Sequence, residues 1–178
     1  MKKLSMLLYQ TQGIIKFCEE INAELVRLKL TRKTTGGYLT IVERDTGAIV
    51  LTILIGTLQF ERTAKHRRLS IEQAKRVFDE KLSSSFQNRN IEQGKSAGAV
   101  SGEKFIYSFS GHCEEINEVV SILSCIENEQ YLNPEFQANL RQGEDPKPMD
   151  VILKKMDLES KFMMVSGIRS FISKIFVW

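Results

Sequence analysis

The chain has little of what usually builds metal, disulfide or catalytic sites. Its 178 residues include two histidines and three cysteines, and no CxxC pair occurs. An odd, scattered set of thiols is typical of a reducing compartment, so we expect a cytoplasmic protein without disulfides. Cys18, Cys113 and Cys125, taken with His112, also lack the spacing of a four-ligand zinc site. We therefore predict no structural metal.

Long hydrophobic runs and a strong charge excess are absent too. No stretch reaches the roughly 18 uninterrupted apolar residues of a membrane-spanning helix. The apolar start at residues 4–9 is broken by Gln10, Thr11 and Gln12, which favours a helix over a secretion signal. The net charge is +3, from 25 basic and 22 acidic side chains, whereas nucleic-acid binders usually carry a larger or more clustered excess. We expect no nucleic-acid partner.

Catalytic motifs are also missing. The chain has no GxGxxG loop, no P-loop and no GxSxG nucleophile elbow. Ser108, Ser110 and His112 lie close in sequence, but Ser110 precedes a single glycine, which favours a tight strand-to-helix turn. We predict a non-catalytic protein with no catalytic residues.

Hydrophobic periodicity predicts the elements in the first half of the chain. Ile14, Cys18 and Ile21 form one stripe of a helix over residues 4–30. A hairpin follows, with strands at 38–44 and 48–59 around the turn at 45–47. Its second strand is almost wholly apolar through Ile55, which predicts that it lies centrally in the sheet or is covered on both faces.

The second half repeats this alternation. Residues 61–68 are charged and predicted to form a loop. Ser70 and Gln73 then have the spacing of a capping box that opens a helix ending near Leu82. A second hairpin is predicted at 96–100 and 104–110, and a last helix at 113–129. The predicted fold is α+β, with an antiparallel sheet of two hairpins flanked by helices in the order α-β-β-α-β-β-α.

Composition divides the chain into three parts. Residues 1–130 form the predicted α+β domain, and residues 131–149, which hold all three prolines of the chain and Gly143, form a linker. Residues 150–178 are predicted to be an amphipathic helical tail with cations on one face. Its proposed contacts are with a membrane surface, with a partner or with its own domain, and they are Lys161, Arg169, Phe171, Lys174, Phe176 and Trp178.

Several short segments resemble the GlcG/HbpS-like family. They are Gly98–Val100, the strand IYSFSG at 106–111 and the acidic helix start EEINE at 114–118. The turn at 45–47 and the segment 68–75 resemble the upstream parts of the same family. This resemblance implies a profilin-like sheet, a homo-oligomer and a ligand, which in several members is haem. It covers residues 4–129 by order of elements and does not include the tail.

The candidate ligand residues surround the two histidines. Lys65, His66, Arg67 and Arg68 precede the helix predicted at Ser70, and cations at such a place suit a carboxylate or phosphate. The alternative for His66 is a solvated basic loop. Either His66 or His112 could in principle ligate haem iron, whereas a lone histidine is more often structural.

Two functions therefore stay open. One is a non-catalytic ligand-binding or sensor protein of the GlcG/HbpS-like type, with haem as a candidate cofactor. The other is a protein-protein interaction module, similar in element order to roadblock-like domains and secretion chaperones, whose basic tail docks to a partner or membrane surface. Secretion chaperones are commonly acidic, and the mild basicity of this chain counts against them.

Overall fold

The computed structural model of the chain describes residues 2–27 and 36–129. It is α+β, with three helices and four strands in the expected order α-β-β-α-β-β-α. The predicted linker and the tail, with its six proposed contact residues, lie outside the described residues. The elements are α1 (Lys2–Arg27), β1 (Gly37–Glu43), β2 (Ile49–Ile55), α2 (Phe60–Asp79), β3 (Ala99–Ser101), β4 (Phe105–Ser110) and α3 (Glu114–Glu129).

The four strands form one antiparallel sheet in the order β2-β1-β4-β3. In β1, Leu39 is opposite Ile53 of β2 on one side and Phe109 of β4 on the other. Strand alternation sends these residues to the face that α1 and α3 cover. The predicted α1 stripe is confirmed there, because Ile14, Cys18 and Ile21 are buried against the sheet and α3 in the main core.

The prediction of a central β2 is wrong. This strand lies at one edge of the described sheet, and Ile49, Val50 and Leu54 are 45%, 36% and 38% exposed. Its Leu51 and Ile53 pack on the main core, so one face is covered as expected. Among the described elements, none covers most of the other face, because α2 lies mainly over β1, β4 and β3. A continuous apolar run shows that both faces of a strand are hydrophobic, but it does not identify the element that covers each face.

The predicted start of α2 is also wrong. The helix begins at Phe60, not at Ser70, and no side chain caps its first turn. Residues 61–68 are therefore helical, since they contain no glycine or proline and their long charged side chains suit an exposed helix face. Ser70 is buried in mid-helix and donates to the carbonyl of Arg67. The spacing of Ser70 and Gln73 marks a buried helix face, not a cap.

Helix α2 contacts the sheet through an unusually polar stripe. His66, Ser70 and Gln73 are spaced by four and three residues, so they share one helix face. Their side chains hydrogen-bond to Ser110, Thr40 and Ser108, which project from β4 and β1. We call these six residues the α2 seam. Beyond Gln73 the contact becomes apolar, with Ala74 and Val77 packed on Val42, Ala99 and Ile106.

Gln73 uses all of its hydrogen-bonding groups in the α2 seam. It is 1% exposed. Its Nε2 donates to Ser96 Oγ at 2.8 Å and to the carbonyl of Ala97 at 2.9 Å, and its Oε1 accepts from Ser108 Oγ at 3.1 Å. A buried amide satisfied in this way fixes the position of α2 along the sheet, because a shifted helix would leave several polar groups unpaired.

Replacing Gln73 by Met should therefore lower the free energy of unfolding by more than the loss of one hydrogen bond would. It removes the amide at similar volume and leaves Ser108 and the Ala97 carbonyl unpaired, at a cost of about 2–4 kcal/mol. The neighbouring Glu72→Gln variant is the control. Its ion pair with Arg68, at 3.4 Å, is solvent-exposed and contributes at most about 1 kcal/mol. Urea unfolding of both variants tests the α2 seam, and equal effects would contradict it.

Candidate functional site

The predicted ligand residues do not form one cluster. Lys65, Arg67 and Arg68 are exposed on α2, and Arg68 pairs with Glu72. His66 points the other way and is 6% exposed, so the solvated-loop interpretation of His66 is wrong. The difference follows from the helix, whose neighbouring residues point in different directions.

His66 lies at the end of the α2 seam nearest the start of the helix. Its Nδ1 is 3.0 Å from Ser110 Oγ, at the last residue of β4. Its Nε2 is buried and has no hydrogen-bond partner among the described residues. Buried polar atoms are rarely left unpaired, so this nitrogen calls for a bound water or a ligand.

His112 lies two residues beyond Ser110, in the turn between β4 and α3. Its Nε2 is 2.8 Å from Asn22 Oδ1, and the Nδ2 of Asn22 donates to the carbonyl of Cys18. Asn22 Oδ1 is thus the acceptor, and His112 Nε2 carries the proton. The imidazole stacks on Phe109 with ring centroids 5.8 Å apart.

The turn that carries His112 is held by Asn117 of α3. Its Oδ1 accepts from the backbone N–H groups of Gly111 and His112 at 3.1 and 2.9 Å, and its Nδ2 donates to the His112 carbonyl. Gly111 lies directly against the backbone of Gly36, where a side chain on either residue would collide with main-chain atoms. Glycine at position 111 lets this turn meet the Gly36 segment beside the histidines, and glycine at position 36 lets that segment pass the backbone of residues 55–57.

Electrostatics links the two histidines with the start of α2. Burial, together with the positive charges of His66 and Arg62, lowers the pKa of His112 to about 4. The pKa of His66 is lowered first by burial and then by Arg62 and Lys65. We call Arg62, His66, Ser110, Gly111 and His112 the histidine corner. The charges that act on its imidazoles are positive, which favours an anion there.

The histidine corner does not have the arrangement of a hydrolase site. Ser110 and His66 are within hydrogen-bonding distance, as a nucleophile and base would be. However, Ser110 is 1% exposed, and the orienting acid that a triad would place on the second nitrogen is absent among the described residues. A substrate carbonyl could not reach the hydroxyl.

The residues also fit haem and metal ions poorly. Axial ligation needs an imidazole nitrogen facing open space for a porphyrin. His66 Nε2 is buried, and His112 Nε2 is bonded to Asn22. Within residues 2–27 and 36–129, no group of three or more His, Cys, Asp or Glu side chains could hold a metal ion.

A depression lies at the far end of α2. Its volume is about 590 Å³, and its walls include Arg44, Asp45, Asp79, Lys81 and Glu103. Its charged lining has three acids and two bases, so it has little net preference for the charge of a ligand. It therefore carries less information than the histidine corner.

Sequence reasoning missed Arg62, Asn22 and Asn117, and it treated Ser110 as a turn residue. A signal for the first was available, because the spacing of His66, Ser70 and Gln73 continues a helix upstream of Ser70. The asparagines had no such signal. They reach the histidine corner from α1 and α3, which only the folded sheet brings together.

Comparison with known proteins adds no relative: no family model, no curated protein and no solved structure matches this chain. None of the helices in the described part of the chain combines the length and apolar character that crossing a bilayer requires. Function must be argued from the chain's own residues.

The low pKa of His112 makes folding sensitive to pH. Its folded-state pKa, about 4, lies below the ordinary value of 6.5, so the unfolded chain binds more protons between these limits. Stability is full above pH 6.5 and falls on acidification towards pH 4, by up to about 3 kcal/mol from this group. Urea unfolding between pH 7 and pH 4.5 should show this loss. In His112→Gln the slope should be shallower, and an unchanged slope would contradict the assignment.

Proposed function

We propose that the protein is a non-catalytic ligand-binding or sensor protein, and that the histidine corner binds a small oxyanion, a carboxylate or a phosphate group. The observation that carries this proposal is the buried Nε2 of His66, which has no hydrogen-bond partner among the described residues. The positive charges of Arg62 and Lys65 act on the same imidazole and lower its pKa. An oxyanion would satisfy this nitrogen and neutralise the positive charges together.

The proton arrangement follows from the α2 seam. If the Ser110 hydroxyl donates to Nδ1 of neutral His66, Nε2 carries the proton and donates to the anion. A bound anion also favours imidazolium, in which both nitrogens donate and Ser110 accepts. Binding should therefore raise the pKa of His66, and affinity should increase as the pH falls.

Sulfate is the probe for this site, because it resembles phosphate and keeps a double negative charge across the pH range used. Amide chemical shifts of Gly36, Gly111 and His66 should move during a sulfate titration at constant ionic strength. The dissociation constant should be lower at pH 5.5 than at pH 7.5. Acetate in a parallel titration shows whether a carboxylate binds as well, and chloride controls for unspecific charge effects.

Arg62→Gln and Lys75→Gln are the matched variants. Both remove one exposed cation of α2, but Lys75 is nine residues beyond His66, about 13 Å along the helix axis. Arg62→Gln should weaken sulfate binding about tenfold, and Lys75→Gln less than twofold. No saturable shifts at the histidine corner, or equal weakening in both variants, would refute the proposal.

Haem, the ligand implied by the GlcG/HbpS-like resemblance, is not part of this proposal. Haem iron is bound within a porphyrin, which is far wider than a small oxyanion and cannot approach the buried Nε2 of His66, and His112 Nε2 is bonded to Asn22. We expect titration with haemin to give no Soret shift that depends on His66 or His112. A shift lost in both His66→Gln and His112→Gln would instead favour the haem interpretation.

The interaction-module alternative is supported by a different observation, the exposed aliphatic side chains of β2. They flank Thr52, whose hydroxyl is 3.3 Å from that of Thr40 in the α2 seam, and a contact through them needs no small ligand. A membrane or partner contact through the tail stays a prediction from the sequence.

A further inference from the structure

The two edges of the described sheet differ. At the β3 edge, residues 83–85 run alongside the strand: Ser85 N–H donates to the Ala99 carbonyl, and Ser101 N–H donates to the Ser83 carbonyl. At the other edge, β2 pairs with β1 and with no further described strand. The β3 edge is thus covered by the chain itself, whereas no described residue pairs with the β2 edge.

The β2 edge also lacks the usual protection against pairing. Natural proteins block edge strands with proline, lysine or other charged side chains. The seven residues of β2, IVLTILI, contain none of these. A bulge beside Val50 is the one irregularity, and Leu51–Ile55 pair regularly with β1. Three aliphatic side chains are exposed on the strand, and Phe60 at the start of α2 is exposed as well.

The sequence of β2 is nearly symmetric about Thr52. In a two-fold antiparallel pair centred there, Thr52 meets Thr52, Leu51 meets Ile53, and the exposed Val50 meets the exposed Leu54. No charged residue opposes a like charge, and hydroxyl and aliphatic cross-strand pairs are both favourable. A second copy of the same strand therefore suits this edge.

We propose that two copies of this chain associate through β2, in antiparallel register about Thr52, to give a continuous eight-stranded sheet. Such a contact is isologous, so it closes as a dimer instead of growing into a filament. The strand pair and its flanking side chains form a small interface, so the dimer should dissociate on dilution.

Introducing a charge at the edge tests this directly on the full chain. Leu54→Lys places two ammonium groups in the contact, whereas Ile91→Lys changes an equally apolar residue, 64% exposed, in the loop between α2 and β3. Sedimentation equilibrium should show a dimer for the parent and Ile91→Lys and a monomer for Leu54→Lys. Circular dichroism checks that Leu54→Lys is folded. A monomeric parent, or a dimer that tolerates Leu54→Lys, would overturn the proposal.

A cysteine on the axis tests the register. In a Cys113→Ser background, Thr52→Cys should form an intermolecular disulfide on mild oxidation, because directly opposite Cα atoms are about 4.5–5.5 Å apart. The matched Ile91→Cys should not, and an absence of cross-linking at Thr52 would contradict the register.

Hydrogen exchange of the β2 amides that do not bond to β1 distinguishes a second copy from the remaining segments of the same chain. Protection that increases with protein concentration supports the dimer. Protection independent of concentration would mean that another part of the same chain covers the edge, and would overturn the proposal.

Discussion

The hydrogen bonds of the α2 seam are the constraint on which the rest of the structure depends. An apolar helix face could slide along the sheet at little cost, but His66, Ser70 and Gln73 each need a particular partner on β4 or β1. Because Gln73 satisfies three groups at once, the helix has one favourable position. Specificity of packing here comes from polar groups, while α1 and α3 supply the apolar core on the opposite face.

Two surface features follow from this position of α2. At one end, His66 is placed beside Ser110 and the glycine contact of Gly36 with Gly111, with Arg62 one turn away. Along the side, the described elements leave one face and the outer edge of β2 open, since α2 lies mainly over the other three strands. The proposed oxyanion site and the proposed dimer contact thus have a common origin, although each can fail without the other.

The sequence was sufficient for the α+β order of elements, because hydrophobic period and glycine turns are local signals. Prediction from the sequence failed where one pattern of residues fits two different structures. Ser70 and Gln73 match a capping box and a buried helix stripe equally well, and the apolar run of β2 suits a central strand and an unprotected edge equally well. Asn22 and Asn117 could not be found, because their roles arise from contacts between elements distant in the chain.

The protonation state of His66 tests the account most directly. Long-range proton–nitrogen NMR of the imidazole at pH 7.5 distinguishes the two neutral tautomers. We expect the proton on Nε2, with Nδ1 accepting from the Ser110 hydroxyl, and we expect sulfate to shift the Nε2 resonance more than the Nδ1 resonance. A proton on Nδ1 would leave a bare lone pair on Nε2. That result would contradict oxyanion binding by His66 and would suit a metal ligand instead.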